Sequence, residues 1–343
     1  MQIIRRRNLF AAALACALAF GANVARAGEI GHFAPGVANI RDYTVPDPGV
    51  YGVLYNYWYS TDRLNDRDGN KISSVTINPG GGRGVTLAVD VDVDVYAVSP
   101  TFIWVSDWNV FGAKYAAFIA PSFADSSVGA SLSTVSGSGR DADASQFDVG
   151  DLFVMPIWLG WARPNWDLAL GYGFYAPVGR YDTETLTLPV VGTIEVESAD
   201  NIGLGFWEQQ LQGAASWYPW VDKRMAVSAV LTYGIPHEKE DFDLTPGQNL
   251  TLNWGISQYL PLNGETLLLE VGPAGYDSWQ ITDDSGSAAR DPSVDDEVHA
   301  VGGQLGLTYV PWLLSVNAHY FYEFSATDRF QGESFGLNVS KMF

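Results

Sequence analysis

The C-terminal stretch Gln331–Phe343 reads QGESFGLNVSKMF and ends on an aromatic residue. Counting back in twos from Phe343 gives a mostly apolar set, Lys341, Val339, Leu337 and Phe335, and the residues between them are mostly small or polar. Alternation with a period of two predicts a β-strand with one apolar face. A closing strand of a membrane β-barrel and an edge strand of a soluble β-sandwich can alternate in the same way. The rest of the chain has to distinguish these two folds.

The first 27 residues have the three parts of an export signal. Arg5–Arg7 form a charged start, Leu9–Phe20 an apolar centre, and Ala25-Arg26-Ala27 a cleavage site before Gly28. The one cysteine, Cys16, lies in the apolar centre, so disulfides cannot stabilise the exported chain. After Gly28 there is no apolar run of about 18 residues, which excludes a membrane-spanning helix. If the exported chain crosses a membrane, it must do so as a closed barrel.

Charge and composition narrow the class further. The chain has 19 basic and 39 acidic residues, and without the four arginines of the signal it keeps 15 basic residues and a formal charge of −24. Such a surface repels phosphate, which excludes nucleic acid as a partner. The 36 glycines, 17 tyrosines and 12 tryptophans, with only 17% charged residues, favour a turn-rich all-β protein over a helical one.

The segment Val89–Val95 reads VDVDVDV. A strand puts its valines on one face and Asp90, Asp92 and Asp94 on the other. A calcium loop counted from Asp90 would need Gly at the sixth position and a carboxylate at the twelfth, and neither is present. Because charges that face lipid are penalised, we expect the valines to face lipid and the aspartates to face a wet interior. An acidic interior predicts a preference for cations over anions.

From Gly49 onward, segments of period two alternate with short and long connections. Strands are predicted at 49–60, 85–105, 110–121, 147–160, 166–181, 204–217, 225–237, 248–261, 266–281, 299–309, 314–325 and 331–343. Short turns are predicted at 106–109, 162–165, 218–224, 262–265 and 310–313, and long loops at 61–84, 122–146, 182–203, 238–247, 282–298 and 326–330. An even number of strands with short turns at one end is typical of bacterial outer-membrane barrels. The sequence therefore predicts an all-β fold, a transmembrane antiparallel up-and-down β-barrel of about 12 strands with short periplasmic turns and long extracellular loops.

The tryptophans gather at the predicted short turns. Eight of the twelve lie in or near them: Trp104, Trp108, Trp158, Trp161, Trp166, Trp217, Trp220 and Trp312. Amphipathic rings concentrate at membrane interfaces, so this set predicts an aromatic girdle at one rim and favours the barrel over a secreted sandwich or adhesin. Phe343 is expected at the same rim, where it resembles the signal that the barrel-assembly machinery recognises. Lys341 must then lie close enough to the rim for its ammonium group to reach the interface.

The residues that alternate with the lipid-facing ones are candidates for the lining of the interior. They are Asp90, Asp92, Asp94, Lys114, Glu208, Gln210, Gln212, Asn253, Glu270, Asn317, His319 and Glu323. For each of them, a hydrogen-bond network that stiffens the barrel is the alternative to a solute contact. The four histidines, His32, His237, His299 and His319, lack metal-ligand spacing, and no haem, zinc or nucleotide motif is present, so we expect no metal and no cofactor.

Residues 28–48 precede the first predicted strand and have no clear periodicity. They carry Pro35, Pro46 and Pro48. Two placements are open: a periplasmic extension, or a segment folded into the barrel interior. The chain therefore divides into a signal peptide at 1–27, this N-terminal segment at 28–48, and a barrel at 49–343.

Several short motifs resemble those of a known family. They are His32-Phe33-Ala34-Pro35-Gly36, Ile40-Arg41-Asp42, Pro48-Gly49-Val50-Tyr51, Leu64-Asn65-Asp66 with Gly69-Asn70, Gly150-Asp151-Leu152 with Pro156, Leu159-Gly160-Trp161, and Ala176-Pro177-Val178-Gly179-Arg180-Tyr181. Together they resemble the bacterial outer-membrane family named for a putative MetA pathway of phenol degradation. The resemblance implies an outer-membrane barrel associated with the uptake of aromatic or other hydrophobic compounds, and it assigns no catalytic or binding residues.

The preferred hypothesis is passive transport of small hydrophobic or aromatic solutes by a barrel that contacts outer-membrane lipid. A structural or adhesive barrel is one alternative, which the long loops favour. An outer-membrane acyl hydrolase is the other, and His319 with Asn317 and Ser315 on one strand face is its candidate site. Barrel phospholipases carry such groups on the lipid-facing exterior, whereas this pattern turns His319 inward. The pattern leaves the oligomeric state open.

Overall fold

The computed structural model describes residues 31–77, 85–134, 139–188, 192–198, 201–289 and 295–343, so the predicted signal peptide at 1–27 lies outside the described residues. The strands are β1 (Gly49–Thr61), β2 (Ser74–Ile77), β3 (Val85–Val110), β4 (Ala113–Ala120), β5 (Phe123–Thr134), β6 (Gly139–Val149), β7 (Leu152–Ala162), β8 (Trp166–Ala176), β9 (Thr183–Leu188), β10 (Gly192–Glu197), β11 (Glu208–Trp217), β12 (Met225–Pro236), β13 (Asn249–Leu262), β14 (Leu267–Gln280), β15 (Glu297–Tyr309), β16 (Leu314–Thr327) and β17 (Glu333–Met342). A 3₁₀ turn at Val310–Trp312 joins β15 to β16. None of the helical structure in these ranges is long and apolar enough to cross a membrane.

Twelve of the strands close into an antiparallel barrel. Their order is β1-β17-β16-β15-β14-β13-β12-β11-β8-β7-β4-β3, and pairing of β3 with β1 completes the ring. The predicted twelve-stranded up-and-down barrel is therefore confirmed. The other strands lie at the end with the long loops: β2, β5 and β6 extend the sheet beside β3, and β9 pairs with β10 as a separate hairpin. Three predicted loops thus contain strands. Two of them do so because β3 continues past the rim and offers free edges for β2 and β5, and the third forms the β9–β10 hairpin by itself.

The first short turn lies at Phe111-Gly112, and the prediction of a turn at 106–109 is wrong. β3 continues to Val110, with an irregular register against β4 between Val105 and Asn109. Both turn residues have positive φ, 53° at Phe111 and 80° at Gly112, as a two-residue hairpin turn of type I′ requires.

Strand β17 closes the barrel between β16 and β1. Phe335 is exposed, whereas the residues on either side of it are buried, so the apolar face of the strand points outward. The Nζ of Lys341 donates to the carbonyl of Trp312 at 2.6 Å and lies 5.8 Å from the ring centre of Phe343. The ammonium group therefore reaches the short-turn rim. A role of Phe343 in barrel assembly stays a prediction.

A β-bulge turns one predicted girdle residue inward. The register of β7 against β8 shifts between Val154 and Ile157, around Pro156, which has no N–H to donate to the ladder. The extra residue reverses the alternation, so that Ile157 is 45% exposed and Trp158 only 3%. The assignment of Trp158 to the girdle is wrong, because nearness to a short turn does not tell which face of the strand a side chain is on.

The VDVDVDV segment has the opposite orientation to the predicted one. Asp90, Asp92 and Asp94 are exposed and share a strand face with the outward-facing Trp104, whereas Val93 is 8% exposed. Thr61, the last residue of β1, pairs with Val93, so Asp90 and Asp92 lie beyond the end of β1. The prediction is wrong because the lipid penalty does not act on a strand that extends past the rim. The predicted preference for cations rested on these aspartates facing the interior, so it is no longer supported.

Candidate functional site

Residues 31–48 run along the inner face of the barrel from the extracellular to the periplasmic end. Their contacts descend strand β13 in steps of four residues, or about 13 Å each. The contacting pairs are Gly31 with Asn249, Gly36 with Asn253, and Arg41 with Ser257. The chain then reaches the periplasmic rim, where β1 begins at Gly49. We call residues 31–48 the inner segment.

Arg41 anchors the inner segment at the periplasmic end. Its Nε lies 3.2 Å from Glu270 Oε1, and the two side chains are only 11% and 4% exposed. The other guanidinium nitrogens donate to the carbonyls of Lys223 and Arg224, at 3.0 and 2.9 Å, in the turn after β11. The group also lies over the ring of Tyr259, 4.1 Å from its centre. A planar guanidinium can serve all these partners at once, which a lysine ammonium cannot.

His32 anchors the inner segment at the extracellular end. Its Nε2 lies 2.9 Å from Asp151 Oδ2 and its Nδ1 2.9 Å from Glu208 Oε2. The ring stacks on Tyr175 with centres 4.6 Å apart and meets Phe206 edge-on. Burial lowers the pKa of His32, but the hydrogen bonds and charges of Asp151 and Glu208 outweigh burial and raise the pKa above its usual 6.5. The two carboxylates therefore favour the charged, imidazolium form of the ring.

We expect this extracellular anchor to weaken as the pH rises. Because the folded-state pKa of His32 is raised, its contribution is complete below about 6.5 and is lost as the pH rises through the folded value. Amide hydrogen exchange at His32, Phe33, Ala34 and Gly36, corrected for intrinsic rates, should become faster towards alkaline pH. In His32→Gln the corrected rates should stay constant with pH. Corrected rates that stay equally slow in the wild type at all pH values would contradict the imidazolium anchor.

Polar side chains cover the inner wall formed by β11 to β17. Eight of the predicted interior residues are buried there: Glu208, Gln210, Gln212, Asn253, Glu270, Asn317, His319 and Glu323. Glu323, for example, accepts hydrogen bonds from the hydroxyls of Tyr276 and Tyr59, both at 2.9 Å. Lys114 is half-buried at the periplasmic end and pairs with Asp47 of the inner segment at 2.7 Å. Glu208, Asn253, Glu270 and Lys114 bond to residues of the inner segment.

The opposite inner wall, formed by β3, β4, β7 and β8, is mostly apolar, and we call it the aromatic wall. It buries Val105, Ala116, Phe153, Met155, Trp158 and Ala169 in one cluster. Phe118 packs edge-on against Trp158, with ring centres 5.6 Å apart. Ile40 and Tyr43 of the inner segment belong to the same cluster. The inner segment therefore turns apolar side chains to this aromatic wall and hydrogen-bonding groups to the polar wall.

The predicted girdle residues other than Trp158 lie near the short turns. Six of them are exposed: Trp104, Trp108, Trp166, Trp217, Trp220 and Trp312. Trp161 is half-buried, and its Nε1 donates to the carbonyl of Phe111 at 3.2 Å.

Sequence reasoning missed the two anchors and the aromatic wall. His32 and Arg41 are the only cationic side chains of the inner segment, in a chain with a large excess of acids, and this contrast is the signal that could have found them. The aromatic wall had no such signal, and the bulge at Pro156 hides the inward orientation of Trp158. The described residues contain no group of three or more His, Cys, Asp or Glu side chains that could hold a metal ion.

Comparison with solved structures supports the fold. A COG4313 outer-membrane channel from Pseudomonas putida F1 matches with a TM-score of 0.60 and 15% identity, over 91% of this chain and 100% of that one. The β domain of the Bordetella autotransporter BrkA matches with 0.48 and 12%, over 87% and 100%. The Pseudomonas putida toluene transporter TodX matches with 0.42 and 10%, over 93% and 96%. The fold likeness rests on the first of these.

Sequence comparison gives the family. A search of curated proteins finds no match. The family model described as "Putative MetA-pathway of phenol degradation" matches residues 61–339, which span the barrel from the end of β1 to β17. With this match over most of its length, the chain belongs to the family of the putative MetA pathway of phenol degradation, and it has the β-barrel fold of an outer-membrane protein.

Proposed function

We propose that the protein is a passive channel that admits small hydrophobic or aromatic compounds across the outer membrane. The observation that carries this proposal is the aromatic wall, an apolar inner surface across β3, β4, β7 and β8 in a barrel whose other inner wall is polar. A structural barrel needs only a packed or hydrated interior, whereas an apolar strip along the lumen gives a hydrophobic solute a surface to follow. The family description, which names phenol degradation, and the channel of similar fold agree with this function.

The proposal includes transport without catalysis. His319, the candidate base of an acyl hydrolase, is 3% exposed, and its ring fills the space that a side chain at Gly336 would take. In the described part of the chain, neither ring nitrogen of His319 has a hydrogen-bond partner. A hydrolase needs a nucleophile, a base and an orienting group in mutual contact, and this arrangement supplies no contact to the base.

Uptake measurements test the proposal. Cells that express the chain should take up radiolabelled toluene and p-cresol several times faster than cells with an empty vector, at low solute concentrations where permeation limits the rate. Uptake of a small sugar should change much less, because a sugar gains little from an apolar wall. Equal initial rates of toluene and p-cresol uptake with and without the protein would contradict the proposed function.

A further inference from the structure

Tyr43 lies on the aromatic wall inside the barrel. Its side chain is 8% exposed and packs in the same cluster as Met155 and Trp158. The side chain of tyrosine is a phenol ring with an alkyl substituent in the para position. The chain itself thus holds a tethered small aromatic group against the wall that an aromatic solute would follow.

Trp158 brings a polar atom to this wall. The residue is 3% exposed, and its Nε1 has no hydrogen-bond acceptor among the residues that the structure describes. The indole nitrogen can only donate. A buried donor without an acceptor is costly to the fold, so its position calls for a partner that the described side chains do not supply.

We propose, building on the proposed function, that the aromatic wall is a binding site for small neutral aromatic compounds that carry an oxygen acceptor, such as phenols. The ring of the solute packs where Tyr43 and Ile40 now lie, and Trp158 Nε1 donates a hydrogen bond to the oxygen. Tyr43 occupies this site when the inner segment is in place, so solute and inner segment compete for it.

The chemistry of the wall selects neutral solutes. The cluster around Trp158 consists of apolar and aromatic side chains, and Arg41 is bound on the polar wall through Glu270 and Ser257. Transfer of a carboxylate to such a surface is strongly unfavourable, whereas a hydroxyl loses much less and regains a hydrogen bond from the indole. Phenols are therefore expected to bind better than benzoates of the same size.

Binding of p-cresol and toluene to purified full-length protein tests the site, because the two solutes differ by one hydroxyl group. Titration calorimetry would use the Tyr43→Ala variant, which removes the competing ring. Adding Trp158→Phe should weaken p-cresol binding about 2- to 10-fold, the worth of one net hydrogen bond. Toluene binding should stay the same, because phenylalanine keeps an apolar ring at the position.

Trp104→Phe in the same background is the matched control, since Trp104 is 44% exposed on the outer face of β3. It should leave both affinities unchanged. The wild-type background should show the same dependence on Trp158 with weaker binding overall, which keeps the test valid if Tyr43→Ala misfolds. Equal p-cresol affinity with Trp and Phe at position 158, or no binding of p-cresol, would overturn the inference. Calorimetric binding without uptake by cells would instead overturn the proposed function and leave the site standing.

Discussion

A variant that lacks residues 31–45 should conduct ions in planar bilayers at least about tenfold better than the full chain, because the lumen of a twelve-stranded barrel is wide enough for water once it is cleared. In the full chain, the inner segment contacts the polar wall and the aromatic wall at the same time. A cavity of about 20 Å³ beside Phe33 and Thr232 leaves room for roughly one water molecule.

A second variant distinguishes the effect of the inner segment's specific contacts from the effect of its volume in the lumen. Replacing residues 31–45 by a Gly/Ser sequence of equal length keeps the chain length but removes both anchors, so conductance should be noisy and intermediate. Folding of each barrel can be checked by the heat-dependent shift in gel migration that intact barrels show. Conductance of the deletion variant equal to that of the full chain would show that the inner segment does not block the lumen.

Arg41→Ala should lower the free energy of unfolding by about 3–5 kcal/mol, the usual cost of leaving one partner of a buried ion pair without the other. Glu270 is buried and would keep its carboxylate beside the alanine without the guanidinium. Urea titration of the protein folded into lipid vesicles, followed by tryptophan fluorescence, measures the change. Arg41→Lys should recover only part of the loss, because an ammonium cannot reach the carbonyls of Lys223 and Arg224 and the carboxylate together.

The double variant Arg41→Ala/Glu270→Leu is the control for this prediction. It removes both charges, so it should be more stable than Arg41→Ala alone, although an acid has been replaced by a larger apolar side chain. The changes in unfolding free energy of Arg41→Ala and of Glu270→Leu, each measured alone, are compared with that of the double variant. If they simply add, the pair is not coupled, and the Arg41 anchor acts through its carbonyl contacts instead.

The barrel itself could be predicted from the sequence, because each strand shows its own alternation of apolar and polar residues. Alternation in Gln331–Phe343 and in eleven earlier segments sets which side chains face lipid, and the alternating loop lengths set the number of strands. Placing His319 and Glu323 on the inner face followed from the same local rule, and both are buried there. The rule needs no knowledge of neighbours, since successive side chains of any strand point to opposite faces.

The candidate site, in contrast, depends on contacts between distant residues. The bulge at Pro156 that turns Trp158 inward and the extension of β3 that carries Asp90 past the rim arise from how strands register against each other. His32 pairs with Glu208 and Asp151, which are 176 and 119 residues away in the chain. The period of two identifies the faces of a strand but does not locate its ends relative to its neighbours. The sequence by itself thus determined a membrane barrel with a defined inside and outside. Only the tertiary structure decided that residues 31–48 run through the inside and which residues they contact, because a segment without periodicity is positioned by its partners.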